Sequence, residues 1–537
     1  MFEHAGWIPV TGDERVSYHL RVEVPAPFRA VATGRLEDEE IGRNVYRATF
    51  AAGYPADLPA LFIGPYEVRE RQQENIRIRT YFEPGLADLA ADYLRDAARY
   101  IVRYQSRIGP YPYIDFHVIS APIPVGLGFP NLTYIGRRIL PLPFIRARSL
   151  AHEVLHNWWG NGIAVDYRKG NWAEGLTTYM ADHALAAEQG AERGREMRLA
   201  WLRDYAALPA DRDVPVTRFT SRHDEAARVI GYNKVAFIFH MLKRELGEVT
   251  FAAALRLFWQ RQRFRIAGWS DVRRAFEAAS GRELGWFFGQ WLVRKGAPRV
   301  QLAHVGFEPR TDSDGYRLQL TVRQVQPAYR LTIPVVIETS AARWRYRIVL
   351  DGAEATATLD IDAKPLALHL DPEHDLFRRL LPGEAPPILR DVTLASNVAT
   401  VVTAKDQAMR RVAQQLAERL LDTPVRLDLA VPNALKATPL LIIGATPEIE
   451  KFLAEHGLAG IPDNLVGRGT SRVWTAHGRN DHPLLAVAAD NIQALQALLR
   501  PLPHYGSRSY LVFDGRRAIE KGTWSATSSP LSRWFDR

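Results

Sequence analysis

Apolar and polar positions change their period several times along the 537 residues of this chain. Over 1–66 they alternate every second residue, in RVSYHLRVEV, NVYRATF and LPALFIG, with breaks at PAP and at Gly-containing turns. That alternation predicts half-buried strands. The stretch reads as a partial N-terminal β-domain, short for a sheet with a core of its own. From about 67 to 299 apolar residues recur at three- and four-residue steps, as in LADLAADYLRDAARYIVRYQSRIG and AEGLTTYMADHALAAEQ. A mainly helical domain is expected there, with two short strands at FHVIS and NLTYI. Period two returns over 300–385, where YRLQLTVRQV, YRLTIPVVIE, RWRYRIVLDG and ATATLDID read as an antiparallel β-sandwich. PGEAPP at 382–387 marks a stiff boundary. Beyond it, over 386–537, the strands TVVTA, PLLIIGA and LLAVAAD alternate with the helical KDQAMRRVAQQLAERLL, EIEKFLAEHG and IQALQALL, which predicts an α/β accessory domain. Its closing PHYGSRSYLVFDGRRAIEKGTW reads as a hairpin followed by an irregular tail. The fold class expected is therefore multidomain α+β.

Composition narrows the chemistry. With 47% hydrophobic and 24% charged residues the chain can bury several cores. The net charge of +9 is spread thinly, in runs no longer than pairs such as Arg137-Arg138, so no nucleic-acid partner is expected. The absence of cysteine excludes disulfides, thiolate metal sites and a cysteine nucleophile. No apolar stretch approaches the ~20 residues of a spanning helix; VAFIFHML at 235–242 comes nearest. The first twenty residues show no secretory pattern. A cytoplasmic chain is expected as written, and a periplasmic or envelope one if the true start lies upstream. In the last domain, LLIIGA lacks the glycines of a nucleotide-binding loop.

The informative stretch runs from Ser149 to His183. It holds His152-Glu153-x-x-His156 inside a helical pattern. Residues four apart share a helix face, so both imidazoles can reach one ion, while Glu153 is turned about 100° away, toward a water on that ion. A catalytic zinc site needs a third ligand and an open position. Glu174 is the best candidate, because it opens the next helical segment after the GNG break at 160–162 and the chain can turn back there. One Zn2+ per chain is expected, with Glu153 as general base.

These residues resemble the aminopeptidase N family of gluzincin zinc metallopeptidases. The family pattern is HExxH, then Trp-Trp/Phe-Gly-Asn, then Asn-Glu-Gly; this chain has Trp158-Trp159-Gly160-Asn161 and Ala173-Glu174-Gly175. The resemblance implies a thermolysin-like catalytic domain, His152, His156 and Glu174 as zinc ligands, and a peptide or protein substrate. It continues at Gly231-Tyr232-Asn233-Lys234, where Tyr232 matches the family's oxyanion-stabilising tyrosine and Val235 replaces a glycine. WSDVRRAFEAASGRELGWFFGQWLVRKGAP at 269–298 looks like the end of the catalytic domain. Gly128 and Asn131 match the family's substrate strand, Gly-x-Met-Glu-Asn.

Three departures shape the functional expectation. Seventeen residues, 157–173, separate His156 from Glu174, one fewer than usual in the family, a change that a loop accommodates. Pro130 stands where the family's amine-binding glutamate belongs, and proline offers neither charge nor an N–H donor. The β-portion is short, and the tail from 386 is α/β where many members carry a helical cap. The expectation is an aminopeptidase-like zinc metallopeptidase with relaxed or altered end recognition. The alternatives are an endopeptidase needing no free amine, and a binding or assembly protein on a peptidase scaffold.

Overall fold

The computed structural model describes residues 7–8, 15–123, 126–311, 314–381, 383–427, 438–526 and 529–535. Most of the first fourteen residues and Pro382, the first of the boundary PGEAPP, lie outside them. The chain divides into two compact units, each discontinuous in sequence: 1–194 with 238–291, and 195–237 with 292–537. Among the described residues no helix is long and apolar enough to cross a membrane.

In the first unit, Val16–Pro25, Val45–Ala56 and Arg35–Ile41 form a three-stranded antiparallel sheet with Val45–Ala56 in the middle. Arg29–Ala32 pairs separately with Leu61–Gly64. A five-stranded mixed sheet follows, in the order Glu67–Gln73, Ile76–Phe82, Asp115–Ala121, Leu132–Gly136, Gly126–Phe129. The hairpin at 67–82 falls where a helical domain was expected to begin. Its burial alternates on one strand, as a sheet with one wet face requires. One core serves both sheets: Val22, Val31, Phe50 and Phe62 pack in the same cluster as Tyr81, Ile119, Leu132 and Tyr134. This is how so short an N-terminal segment is stable, since its apolar face is completed by strands from further along the chain.

Helix Ala90–Arg107 buries Tyr93, Leu94, Ala97, Tyr100, Ile101 and Tyr104. Its phenols brace the segment leading to the HExxH helix: Tyr93 donates to the Leu140 carbonyl at 2.7 Å and Tyr100 to the Ala147 carbonyl at 3.0 Å.

The second unit contains a sandwich of a three-stranded sheet (Val300–Pro309, Tyr316–Gln324, Glu354–Ile361) and a four-stranded one. The latter runs Arg343–Asp351, Arg330–Thr339, Pro365–Leu370, Ser532–Trp534. The last of these strands comes from the expected irregular tail. Within PGEAPP, Glu384 is gripped by the buried Arg378 in two bonds of 2.8 and 2.9 Å. A seven-stranded sheet follows, with helices on both faces. Gln407–Leu420 and Ile492–Leu498 pack over Leu441, Ile443 and Val487, and Thr446–Glu455 packs over Ile442, Trp474 and Ala486. Its first four strands are parallel, Arg426–Leu427, Ala399–Val402, Leu440–Ala445 and Pro483–Ala489, while Ser471–His477 inserts antiparallel beside the last of them.

Candidate metal centre

The HExxH sequence lies on helix Leu150–Leu155, entered through a π-turn at Ile145–Ser149. Leu150, Ala151, Val154 and Leu155 are buried, which turns His152, Glu153 and His156 to the opposite, less buried side. The chain then reverses: Asn161 N–H reaches the His156 carbonyl at 3.1 Å, and Gly160 adopts φ +109°. A conformation of that sign is cheap only for glycine. Trp172 anchors the return, its indole N–H donating to the Ala267 carbonyl at 2.8 Å. The Asn171 side chain accepts from Ala173 N–H at 2.9 Å and starts the helix carrying Glu174. That carboxylate sits in the first turn of Ala173–Thr177, where the helix dipole favours negative charge.

Two imidazoles and one carboxylate converge. Glu174 Oε2 is 3.5 Å from His152 Nε2 and 3.4 Å from His156 Nε2. The three ligand atoms lie within 4.8 Å of one another, the one such group found among the described residues. Zinc bonds of about 2.0–2.1 Å in a tetrahedron put ligand atoms about 3.3 Å apart. The donor set and its spacing therefore fit Zn2+.

The other ring nitrogens are fixed. His152 Nδ1 meets Asp182 Oδ2 at 2.7 Å, and His156 Nδ1 meets the Trp159 carbonyl at 2.9 Å. A carbonyl or carboxylate oxygen can only accept, so Nδ1 carries the proton in each ring and the Nε2 lone pair faces the centre. Asp182 is held in turn by Arg148 Nε at 2.5 Å. It lies within the π-turn Thr178–His183 that interrupts the helix after Glu174. Spacing offers a faint signal for it, because 174, 178 and 182 would share a face on a regular α-helix.

Acid is in excess here. Burial opposes ionisation of Glu174, but His156 and His152 outweigh it and hold the carboxyl well below the usual range. Burial would lower His152, yet Asp182 and then Glu174 drive it well above an ordinary histidine. Glu153 has no cation to itself, and burial raises its carboxyl. Such a cluster draws in positive charge, as protons on the imidazoles or as a divalent cation in their place.

The edge strand Gly126–Phe129 runs beside Glu153. A β-carbon on Gly128 would come within 3.0 Å of Glu153 Oε2 and 3.4 Å of His156 Cβ, so any larger residue here would push the Glu153 carboxylate aside. Pro130 and Asn131 make the turn between that strand and Leu132–Gly136, with Asn131 at φ +56°. Proline followed by a residue of positive φ is the signature of a type II turn. Asn131 is buried and its amide is taken up by Gly34, accepting from its N–H at 2.9 Å and donating to its carbonyl at 3.0 Å. Its own N–H goes to Asn157 Oδ1 at 2.9 Å. Asn131 and Asn157 thus position the strand edge against the HExxH helix, a role the sequence did not announce.

Tyr232 belongs to the second compact unit, in the π-turn Val229–Lys234. It is half-buried while the other five residues of that turn are buried. Its ring lies 6.0 Å from that of Phe219. A side chain on Gly231 would collide with the Phe219 ring at 2.1 Å.

Residues 146–291 match the peptidase family M1 domain. Over this segment and its flanks the chain is similar to aminopeptidases of the M1 and N types. Alongside this M1 domain match, it is 24% identical over 311 residues to aminopeptidase M1 of Arabidopsis thaliana, covering 53% of this chain and 35% of that protein. It is 27% identical over 332 residues to aminopeptidase N of Caulobacter vibrioides, covering 56% and 38%, and 25% identical over 322 residues to aminopeptidase N of Escherichia coli, covering 56% and 36%. The chain therefore spans little more than a third of the length of these relatives. The crystal structure of Legionella pneumophila aminopeptidase A in complex with aspartic acid shares the fold, with a TM-score of 0.55 at 18% identity over 78% of this chain and 51% of that one.

Proposed function

We propose that this chain is a zinc-dependent metallopeptidase, aminopeptidase-like in its chemistry, with His152, His156 and Glu174 as ligands. The observation that carries the reading is the convergence of two imidazoles and a carboxylate on one point, with a second acid, Glu153, alongside and outside that group. When bound, the ion would supply a Lewis acid for the scissile carbonyl and an acidified water. Glu153, whose buried carboxylate has a raised affinity for protons, takes a proton from the attacking water and returns it to the leaving amine. Gly128 leaves room for a substrate backbone along the edge strand, and Asn131 keeps that edge in place. Tyr232 is assigned the oxyanion by its motif, as a phenol whose hydrogen bond strengthens when charge develops.

A second reading, endopeptidase action, rests on Pro130, which puts a turn where the family's amine-binding acid stands. Aminoacyl anilides compared with the same residues N-acetylated separate the two. Hydrolysis confined to free-amine substrates supports the exopeptidase, and equal cleavage of the blocked ones supports the endopeptidase. Failure of the zinc-loaded protein on both, and on unstructured polypeptides, overturns the peptidase assignment. Asp182 supplies a further test. Asp182→Asn removes the charge that orients His152 Nδ1–H and is expected to weaken zinc binding roughly 10- to 100-fold in a chelator competition.

A further inference from the structure

The α/β segment beyond the sandwich has so far no part in the chemistry. Its first helix, Leu389–Thr393, carries an arginine that is 5% exposed. Arg390 Nη1 reaches Asp204 Oδ1 at 2.5 Å, and Nη2 reaches Glu225 Oε2 at 2.5 Å. Ser507, also from the α/β segment, donates to Asp204 Oδ1 at 2.7 Å and meets Arg390 Nη1 as well. The second carboxylate oxygen of Asp204 accepts from Arg228 Nη2 at 3.2 Å and from Asn233 Nδ2 at 3.0 Å. Asp204 and Asn233 are 2% and 1% exposed, so these bonds face no competition from water.

Asn233 is the residue next to Tyr232. The six-residue π-turn holding both is a wide, weakly self-supporting form of helix, and its shape depends on what clamps it. Clamps of three kinds are seen among the described residues. Phe219 presses on Gly231. Asp204 holds the Asn233 amide. Lys234 donates to the Gly296 carbonyl at 3.1 Å with its ammonium over the rings of Tyr205 and Phe377. The Asp204 clamp is the one whose countercharge comes from the α/β segment. A buried pair such as Arg390 and Asp204, edged by the half-buried Arg228 and Glu225, is a poor device for stability, since apolar side chains of similar volume usually do as well or better. What such a set does provide is a single geometry.

We propose that Arg390 is a positioning residue for Tyr232. It fixes Asp204, which fixes Asn233, which sets the turn that presents the phenol. The α/β segment thereby contributes to the transition state without touching substrate. The inference rests on the assignment of the oxyanion to Tyr232.

The test is a double-mutant cycle on the full-length, zinc-loaded protein, read in kcat and KM on one anilide substrate. Tyr232→Phe alone is expected to lower kcat by about 10²-fold. Arg390→Met is expected to lower kcat about tenfold or more with KM little changed, because a small displacement of a catalytic group is expensive. In the Tyr232→Phe background the same Arg390→Met change is expected to lower kcat by less than about twofold, since the residue through which it acts is already lost. Arg390→Lys restores the charge but not the planar fork, and is expected to recover thermal stability without recovering kcat. Should Arg390→Met not fold, Ser507→Ala removes a single donor to Asp204, and its smaller loss in kcat should likewise vanish beside Tyr232→Phe. Losses that multiply in the double variant make Arg390 merely structural and overturn the proposal while sparing the role of Tyr232. An unchanged kcat in Tyr232→Phe overturns the oxyanion assignment and this proposal together.

Discussion

Glu153→Gln is expected to lower kcat by roughly 10²- to 10⁴-fold while zinc content stays at one equivalent per chain. The amide is nearly isosteric with the carboxylate, so the close approach of strand Gly126–Phe129 is preserved. What it lacks is the ability to accept a proton. Glu153 also stands outside the three-atom group, which Glu174 completes with His152 and His156. Loss of a neighbouring charge would tend to release a cation, but three intact donors at bonding separation outweigh one longer-range interaction. Steady-state kinetics beside elemental analysis of the same sample checks the outcome. Activity within twofold of the parent would remove Glu153 from the role of base.

Glu174→Ala is expected to act one step earlier and more completely. It deletes the one carboxylate of the three-atom group and leaves two imidazoles, too few for a closed three-donor site. Zinc should be lost on dialysis, and activity with it. A thermodynamic reading is available as well. A ligand that binds only the folded state stabilises it by about 2.7 kcal/mol at a hundredfold excess over Kd. Added zinc should therefore raise the Tm of the dialysed parent and leave that of Glu174→Ala where it is. Equal zinc-dependent shifts in both proteins would mean that the ion sits elsewhere.

How much of this could be read from the chain depends on how local each feature is. His152 and His156 lie four apart on one helix, and Glu174 opens the next, so their convergence follows from helical period plus one reversal. Asp182 is less legible, because a π-turn shifts its register relative to a regular helix. The hairpin at 67–82 was absorbed into a helical stretch, since EVRERQQ carries hardly any apolar residue from which to read a period. The turn at 130–131 shows the same limit from another side. Proline marks a departure from the family pattern, but nothing nearby in sequence says that Asn131 reaches back to Gly34. Nor does anything tie Arg390 to Asp204, because a buried ion pair between residues 186 positions apart leaves no periodic trace.

The short strand Ser532–Trp534 changes how the α/β segment is attached. The chain leaves the sandwich after Pro365–Leu370, builds the seven-stranded sheet, and comes back to pair with that same strand. The intervening lobe is thus tied to one strand by both of its chain ends, in addition to the bonds that Arg390 and Ser507 make to Asp204. A single backbone cut within it would not let it drift away, and any loosening of the sandwich edge would pull on both chain ends at once.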